Sequence, residues 1–432
     1  MKFKNKDSMG IFLMTAAISL EYFAWGFVDP FFSIFANGIL HNLFLLGILF
    51  AVKNFISLCV AVAISGQMRK VPPKFFAIVS KWICLIQAVV YFLAGLLLSK
   101  VLLFAAIFLE SFSQPMRNVS EQTFLIQHSG KRNASRVMGL NFACKNFAWV
   151  FGTFVCGVLL FLLGRFWHLQ FEEFLHFGFL LLLPFAAMGI FLLWRIRSVR
   201  FSFFRTLRHT PIFSDEFFGR FFAGFSKLSP QLSFSLVLFF LLRLTEKMVT
   251  IFVPLLAISL QLELWQVGIL MAFLFLPFSF SFLFSALADR FDRFVLVIVG
   301  LLLCVVPLVF LTFVQAPLWV ALFSAGLAFC LAIVQPANLG IVASLAPRKE
   351  RAHLAGLEIF FQKAGTIFGA IVLGFVAQNF GLQVVFAVIA VLAFAFALVG
   401  IIVKMHSRRQ GVCHRHNRVL GGLHLHARSL QI

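Results

Sequence analysis

The sequence contains few charged residues and lacks the motifs that mark the common enzyme classes. Only 12% of its 432 residues are Asp, Glu, Lys or Arg, whereas 62% are hydrophobic and the mean hydropathy is +1.01. No H-E-x-x-H, G-x-S-x-G or phosphate-binding glycine-lysine motif occurs. The sequence therefore gives no support for zinc or serine hydrolase chemistry or for ATP-driven transport. We expect no enzymatic activity, no metal site and no bound cofactor.

Cysteine is also scarce, and its positions do not suggest disulfide bonds. Six of the seven cysteines lie inside apolar runs, where a thiol is usually a small buried side chain; they are Cys59, Cys84, Cys144, Cys156, Cys304 and Cys330. The sequence predicts no disulfide framework.

Long apolar runs are abundant instead. A helix that crosses about 30 Å of hydrocarbon needs about 20 apolar residues, and this composition exceeds what a soluble core would use. Twelve such runs, named spans 1 to 12 below, cover approximately 9–36, 42–65, 75–98, 101–126, 137–163, 172–194, 234–260, 264–287, 294–314, 317–345, 353–378 and 382–404. Span 1 is too long for a signal peptide and has no small-residue cleavage site. The sequence predicts an all-α polytopic membrane protein with twelve transmembrane helices.

The distribution of basic residues predicts the orientation. Lysine and arginine are retained on the cytoplasmic side, and with the amino terminus inside, the outer loops hold only Lys100 and Arg165. Both termini are therefore predicted to be cytoplasmic, in a plasma or inner membrane. This bias accounts for most of the net charge of +21, and an anionic inner leaflet is the expected partner of the basic loops. We expect no nucleic-acid partner, because no basic soluble module is present.

The two halves of the chain repeat each other. A shift of 221 residues aligns "LLGILFAV" (45–52) with "QVGILMAF" (266–273), and Gln114-Pro115 with Gln335-Pro336. Parallel six-helix repeats are typical of one large transporter architecture. The predicted domains are an N-terminal bundle (1–194), a cytoplasmic linker (195–233) with an interfacial helix at 214–228, a C-terminal bundle (234–404) and a disordered basic tail (405–432).

One charged loop carries a family resemblance. "SALADRFDR" (285–293) resembles the G-x-L-A-D-R-x-G-R loop signature of the major facilitator superfamily, with Ser285 and Asp292 in place of the two glycines. "PRKERAHLAG" (347–356) resembles the family's basic loop before span 11. The resemblance implies a fold of two pseudo-symmetric six-helix bundles. It also implies that Asp289, Arg290, Arg293 and Arg351 form a latch that holds the cytoplasmic side closed. A passive charge pair that only sets topology is the alternative.

Charged residues inside the spans are the other unusual feature. Each costs about 2.5 kcal/mol or more if it faces lipid, so we expect them to face a cavity or one another. Span 1 carries Glu21 and Asp29, the latter next to Pro30, which weakens the helix. Span 4 aligns its polar residues on one stripe at 100° per residue. The set is Glu21 and Asp29 on span 1; Lys53 on span 2; Glu110, Gln114, Arg117 and Glu121 on span 4; Lys145 on span 5; Arg243, Glu246 and Lys247 on span 7; and Glu358 and Lys363 on span 11.

The resemblance implies that spans 1, 4, 7 and 10 line a central path. A desolvated carboxyl group there can load and release a proton near neutral pH, whereas Arg117, Lys145 or Lys247 could bind an anionic group. Structural ion pairs, for instance Arg117 with Glu121, are the alternative for each acid. Seven basic against six acidic residues in the interior of the spans, away from their ends, favour a zwitterionic or anionic solute over a lipophilic cation.

The sequence thus predicts a monomeric secondary transporter that moves a small polar metabolite by alternating access, driven by a proton or ion gradient. Two alternatives stay open. An acidic pair in span 1 is similar to that of some drug/proton antiporters, although Thr153 stands where their span 5 signature has proline. The chain could also be a transport-inactive sensor or assembly protein on the same fold.

Overall fold

All regular secondary structure in the part of the chain that the structure describes is helical. This computed structural model describes residues 5–67, 71–167, 178–196, 228–345 and 351–429. The predicted interfacial helix at 214–228 lies almost wholly outside these ranges. Helices occupy Asn5–Val28, Phe32–Leu40, Leu43–Gln67, Pro73–Leu96, Lys100–Trp167, Leu182–Arg195, Pro230–Ser259, Leu264–Ser279, Ser281–Arg290, Arg293–Phe313, Pro317–Leu345, Arg351–Phe380 and Leu382–Ser429.

These helices lie at all twelve predicted spans. Ten of the described helical segments are long and apolar enough to cross a membrane. Spans 4 and 7, which carry three ionisable residues each, fall outside that group of ten but are helical as well. The protein is an integral, multi-pass membrane protein. The last helix extends to Ser429, past residue 405, where the sequence predicts disorder; no proline interrupts that segment.

Spans 4 and 5 form one continuous helical segment, Lys100–Trp167, yet they run antiparallel. Glu121 and Lys145 are 24 residues apart, which in a straight helix corresponds to about 36 Å. Their side chains nevertheless meet, with Lys145 Nζ 3.0 Å from Glu121 Oε2. The chain must therefore reverse between them, as two separate predicted spans require.

Proline breaks span 1 where the sequence predicts weakness. The first helix ends at Val28, a 3₁₀ turn occupies Asp29–Phe31, and a second helix begins at Phe32. Pro30 has no N–H to continue the ladder, so the backbone tightens at the acid that precedes it. This turn places Asp29 at the end of one helix rather than within it.

The two halves contact each other closely at one end of the bundle. We name this end, where span 1 finishes and span 2 begins, the outer end, following the predicted orientation. There Gly47 of span 2 packs against the backbone of Ala370 in span 11, and Gly268 of span 8 packs against Gly157 of span 5. Leu43 N–H also donates to Gln378 Oε1 at 2.9 Å. Glycine permits this approach because it has no Cβ.

Candidate functional site

A cavity lies between the halves and collects many of the charged residues. It encloses about 760 Å³ of empty space, including its open mouth. Spans 1, 2, 4 and 5 form most of the wall and span 7 closes the other side. The lining residues are Tyr22, Trp25, Asp29, Phe32, Ser33, Phe50, Lys53, Glu110, Ser113, Gln114, Arg117, Trp149, Lys247, Thr250 and Ile251.

Glu21 is the centre of a buried triad, one member of which, Arg117, also lines this cavity. One of its carboxylate oxygens accepts a hydrogen bond from Arg117 of span 4 and the other from Lys81 of span 3. Lys81 is fully buried and also donates to the carbonyl of Ala17 at 3.1 Å. The arrangement ties spans 1, 3 and 4 together. It also corrects the suggested pairing of Arg117 with Glu121, because rotation of span 4 directs Arg117 towards span 1.

Glu121 has a different partner. It is fully buried, and it accepts hydrogen bonds from Lys145 at 3.0 Å and from Asn141. Both donors lie on span 5. The aromatic ring of Tyr22 lies beneath two cations of this region, 4.9 Å from Arg117 and 5.4 Å from Lys145, which adds a cation–π contribution.

Glu110 forms a second buried pair within the cavity wall. Lys53 of span 2 donates to Glu110 Oε1 at 2.5 Å, and the hydroxyl of Tyr91 donates to Glu110 Oε2 at 2.7 Å. Gln114, one turn along the stripe, also lines the cavity. Three residues of the predicted stripe on span 4, Glu110, Gln114 and Arg117, line the cavity, whereas Glu121 bonds to span 5.

Asp29 and Lys247 differ from these pairs. Asp29 is exposed to the cavity, and the only hydrogen bond to its carboxylate within the described residues comes from the Trp149 indole N–H at 3.3 Å. Lys247, on the opposing wall, has no carboxylate within ion-pair distance in the same part of the chain. The charged groups of span 1 and span 7 thus face one cavity without closing on each other.

The remaining charges of the C-terminal half lie on spans 7 and 11. Arg243 pairs with Glu246 at 2.5 Å, and Gln335 of span 10 donates to the same carboxylate at 3.2 Å. Glu358 accepts from Gln362 at 2.9 Å. Lys363 approaches Asn54 Oδ1 of span 2 at 3.4 Å, so it reaches across to the other half.

The loop that carries the family signature is bonded within the C-terminal half. Arg293 donates to the carbonyl of Gly340 at 2.9 Å, and Lys404 donates to Asp292 Oδ2 at 2.8 Å. Asp292 caps span 9 by accepting from the N–H groups of Phe294 and Val295. Arg290 is exposed, and the side chains of Asp289 and Arg351 are outside the described set.

Partial burial acts to raise the pKa of Asp292. The hydrogen bond from Lys404 and those from the two backbone N–H groups outweigh it, so the pKa of this carboxyl is lowered. The aspartate that replaces the signature glycine therefore serves as a charged helix cap.

Several residues of the site were missed by sequence reasoning. Lys81 and Tyr91 each bind a buried carboxylate, and Trp149 binds Asp29. A signal for the tyrosines was present: the chain has 62 phenylalanines and only two tyrosines, Tyr22 and Tyr91, and both belong to the site. A hydroxyl in so phenylalanine-rich a chain indicates a polar partner.

Within the described residues, no group of three or more His, Cys, Asp and Glu side chains could hold a metal ion. The six cysteines inside the spans are free thiols.

The fold and the cavity define a class of protein, namely helical membrane proteins with a charged cavity between two bundles. The sequence pattern of the Major Facilitator Superfamily matches residues 235–417. This match covers most of the C-terminal half, and the fold is shared with transporters of known structure. No curated protein sequence matches the chain.

Solved structures with this fold include several transporters. A mutant of the nucleoside transporter NupG is 13% identical, with a TM-score of 0.70, over 91% of this chain and 99% of that one. A POT family transporter in complex with 5-aminolevulinic acid is 11% identical, with a TM-score of 0.68, over 91% and 95%. A structure of a proton dependent oligopeptide transporter is 10% identical, with a TM-score of 0.74, over 93% and 99%. At these identities the likeness concerns the fold.

Proposed function

We propose that the protein is a secondary active transporter that carries a small polar solute through the central cavity by alternating access. The observation that carries the proposal is the concentration of ionisable side chains in a cavity walled by both halves. Charged groups in a membrane interior are costly, and where they occur they commonly mark a solute or ion pathway. The solutes named for the structural neighbours, a nucleoside, 5-aminolevulinic acid and oligopeptides, are small and polar.

The charge of the cavity lining disfavours export of lipophilic cations. Three cations line the cavity, Lys53, Arg117 and Lys247, against the two carboxylates of Asp29 and Glu110. Like charges repel an entering cation in a medium of low dielectric constant. This balance supports a solute with an anionic group over a drug-type cation.

The structure also divides the six candidate proton carriers into two groups. Glu21, Glu110, Glu121 and Glu246 each accept a hydrogen bond from lysine or arginine within ion-pair distance. A carboxylate paired in this way tends to stay ionised. Asp29 and Glu358 have neutral hydrogen-bond donors only, within the described part of the chain. These two are therefore the better candidates.

We assign the proton to Glu358. It is half-buried, and it feels the charge of Arg243 from beyond ion-pair distance. Arg243 is bonded to Glu246, so two carboxylates on spans 7 and 11 compete for one guanidinium. Protonation of Glu358 would remove this competition and change the attraction between spans 7 and 11. Such a change can shift the equilibrium between the two conformations that alternating access requires.

The test is solute uptake by purified protein in proteoliposomes. Radiolabelled uridine, 5-aminolevulinic acid and alanyl-alanine are supplied with and without an inward proton gradient. We expect at least one of them to accumulate only with the gradient, and a protonophore to abolish the accumulation. Equal rates and accumulation with and without the gradient would overturn the proton assignment.

Variants separate coupling from transport itself. Glu358→Gln should lose gradient-driven accumulation but keep exchange of solute between the two sides. Lys100→Gln, which alters an exposed charge outside the cavity, is the control and should behave as the parent. Absence of both accumulation and exchange in the parent protein for all three solutes would favour the transport-inactive alternative.

A further inference from the structure

The cavity carries opposite charges on its two halves that do not pair with each other. Asp29 belongs to span 1 of the N-terminal half and Lys247 to span 7 of the C-terminal half. They interact electrostatically, but no ion pair joins them, whereas four of the other acids in the spans have formed one. In a cavity of low dielectric constant, a carboxylate and an ammonium group attract the two oppositely charged ends of one ligand.

The surroundings of Asp29 indicate that a ligand completes its hydrogen bonds. The Trp149 indole N–H at 3.3 Å is the only donor to its carboxylate among the described residues. Ser33, one helical turn further on, is 2% exposed and lines the same cavity, and its hydroxyl has no partner within the described chain. Carboxylate and hydroxyl together can accept hydrogen bonds from an ammonium group, which has three donors.

The surroundings of Lys247 suit an anionic group. Its ammonium has three donors to offer. Lys53 adds positive charge to the same cavity, although its ammonium group is bonded to Glu110. Thr250, on the same span as Lys247, also lines the cavity. The aromatic residues Trp25, Phe32 and Phe50 also line the cavity, and their rings can pack against the apolar part of a solute.

We propose that the solute is a zwitterion that spans the cavity, with its ammonium group on Asp29 and its carboxylate on Lys247. The inference rests on the proposed function and specifies its substrate class. A neutral solute would leave both charges unpaired, and a simple anion or cation would leave one, which a desolvated site penalises strongly. Because the two contacts come from opposite halves, a bound zwitterion would also join the bundles that alternating access must move.

Binding can be measured by the thermal shift of the purified protein with matched ligands. Phenylalanine is compared with phenethylamine and 3-phenylpropanoate, which lack one charge each. Alanyl-alanine is compared with its N-acetyl and its amide derivatives, and uridine serves as the neutral solute. A ligand that binds the folded state raises the apparent stability. We expect at least one zwitterion to raise it and both of its singly charged relatives to have at least about 30-fold weaker Kd, as for the loss of one partner of a buried charge pair.

Variants test which residue binds which end. Asp29→Asn and Lys247→Gln should each weaken binding of the zwitterion at least about 30-fold. Glu263→Gln and Lys100→Gln make the same chemical changes at exposed positions and should leave Kd unchanged. The double variant Asp29→Lys with Lys247→Asp should regain binding, because a zwitterion can enter with its ends reversed.

The outcomes are distinct from those of the transport assay. If uridine or a singly charged relative binds as well as the zwitterion, or if neither zwitterion binds, the inference fails while uptake of another solute can still confirm transport. If the charge-swapped variant is as stable as the parent but binds no zwitterion, the two residues form a structural pair and the inference is wrong.

Discussion

At the scale of single residues, the members of the Glu21 triad contribute unequally to stability, because the triad contains two cations and only one carboxylate. One carboxylate holds two cations, Lys81 and Arg117, in a buried site. Removing the carboxylate leaves two uncompensated positive charges, whereas removing Lys81 leaves one neutral pair. Breaking a buried pair costs about 3–5 kcal/mol because the surviving charge stays desolvated.

We therefore expect Glu21→Gln to lower the free energy of unfolding by about 3–5 kcal/mol and Lys81→Met to lower it much less. Thermal unfolding of both purified variants in the same detergent measures the difference. The double variant Glu21→Gln with Lys81→Met should fall between them, since one cation then stays unpaired. If Lys81→Met is the more destabilising single change, the lysine packs or bonds in a way that the charge balance does not describe.

Asp292 permits a prediction of pH dependence. Its pKa is lowered in the folded protein by Lys404 and by the backbone N–H groups that it caps. A lowered folded pKa means that the ionised form stabilises the protein above the unfolded pKa, and that this stability is lost as the pH falls through the folded pKa. Its side chain is 54% exposed, so the pair with Lys404 contributes at most about 1 kcal/mol.

The substitutions Asp292→Asn and Asp292→Ala separate the charge from the cap. Asn keeps an oxygen for the cap and should reduce the loss of stability in acid. Ala should cost about 0.5–2 kcal/mol more, as expected for an N-cap. Unfolding transitions recorded from neutral to acidic pH test both. An unchanged acid dependence in Asp292→Asn would show that other carboxylates dominate it.

The sequence could indicate which residues matter but not their partners. A charged residue inside an apolar run can be recognised from the sequence alone, and this signal identified Glu21, Arg117 and Lys247 as candidate site residues. Which cation meets which acid depends on helix rotation and on neighbouring spans. Lys81 of span 3 illustrates this limit, because it meets span 1 some 60 residues away in the chain.

At the scale of helices, periodicity predicted which residues share a helix face better than it predicted where each helix ends. Glu110, Gln114 and Arg117, which lie close in angle on span 4 at 100° per residue, do line one cavity. The 3₁₀ turn at Pro30 follows from the missing N–H of proline. The close contact of span 2 with span 11 could not be predicted, because the sequence around Gly47 does not indicate which distant residue it contacts.

That contact leads to a prediction for Gly47→Ala. A Cβ at this position would collide with the carbonyl oxygen of Ala370, and backbone atoms cannot move aside cheaply. We expect a loss of about 1–3 kcal/mol in the free energy of unfolding, as for overpacking. Gly326→Ala is the matched control, since nothing lies within 4 Å of a Cβ there, and it should stabilise its helix by up to about 1 kcal/mol. Equal thermal shifts for the two variants would mean that spans 2 and 11 are separated in the protein.

At the scale of the whole molecule, the internal repeat predicted two bundles, and the structure supplies the interface between them. Pro115 and Pro336, which the repeat aligns, both lie inside helices, on spans 4 and 10. Equivalent positions nevertheless differ chemically: Gln114 lines the cavity, whereas Gln335 binds Glu246. Because equivalent residues have diverged in this way, the two halves contribute chemically different side chains to the cavity, which the repeat alone does not predict.

Alternating access requires the outer ends of the two halves to separate, and this can be tested by crosslinking. Leu43 of span 2 and Gln378 of span 11 are hydrogen-bonded across the interface. The pair Leu43→Cys with Gln378→Cys, oxidised to a disulfide, should abolish solute exchange in proteoliposomes, and a reductant should restore it. Val314→Cys with Gln383→Cys is the control, because those residues are bonded at the same end but within one half, where no relative motion is needed. The parent protein, oxidised alike, accounts for its native thiols. Continued exchange with the first disulfide in place would mean that the solute crosses without separation of spans 2 and 11, and the two-bundle mechanism would have to be abandoned.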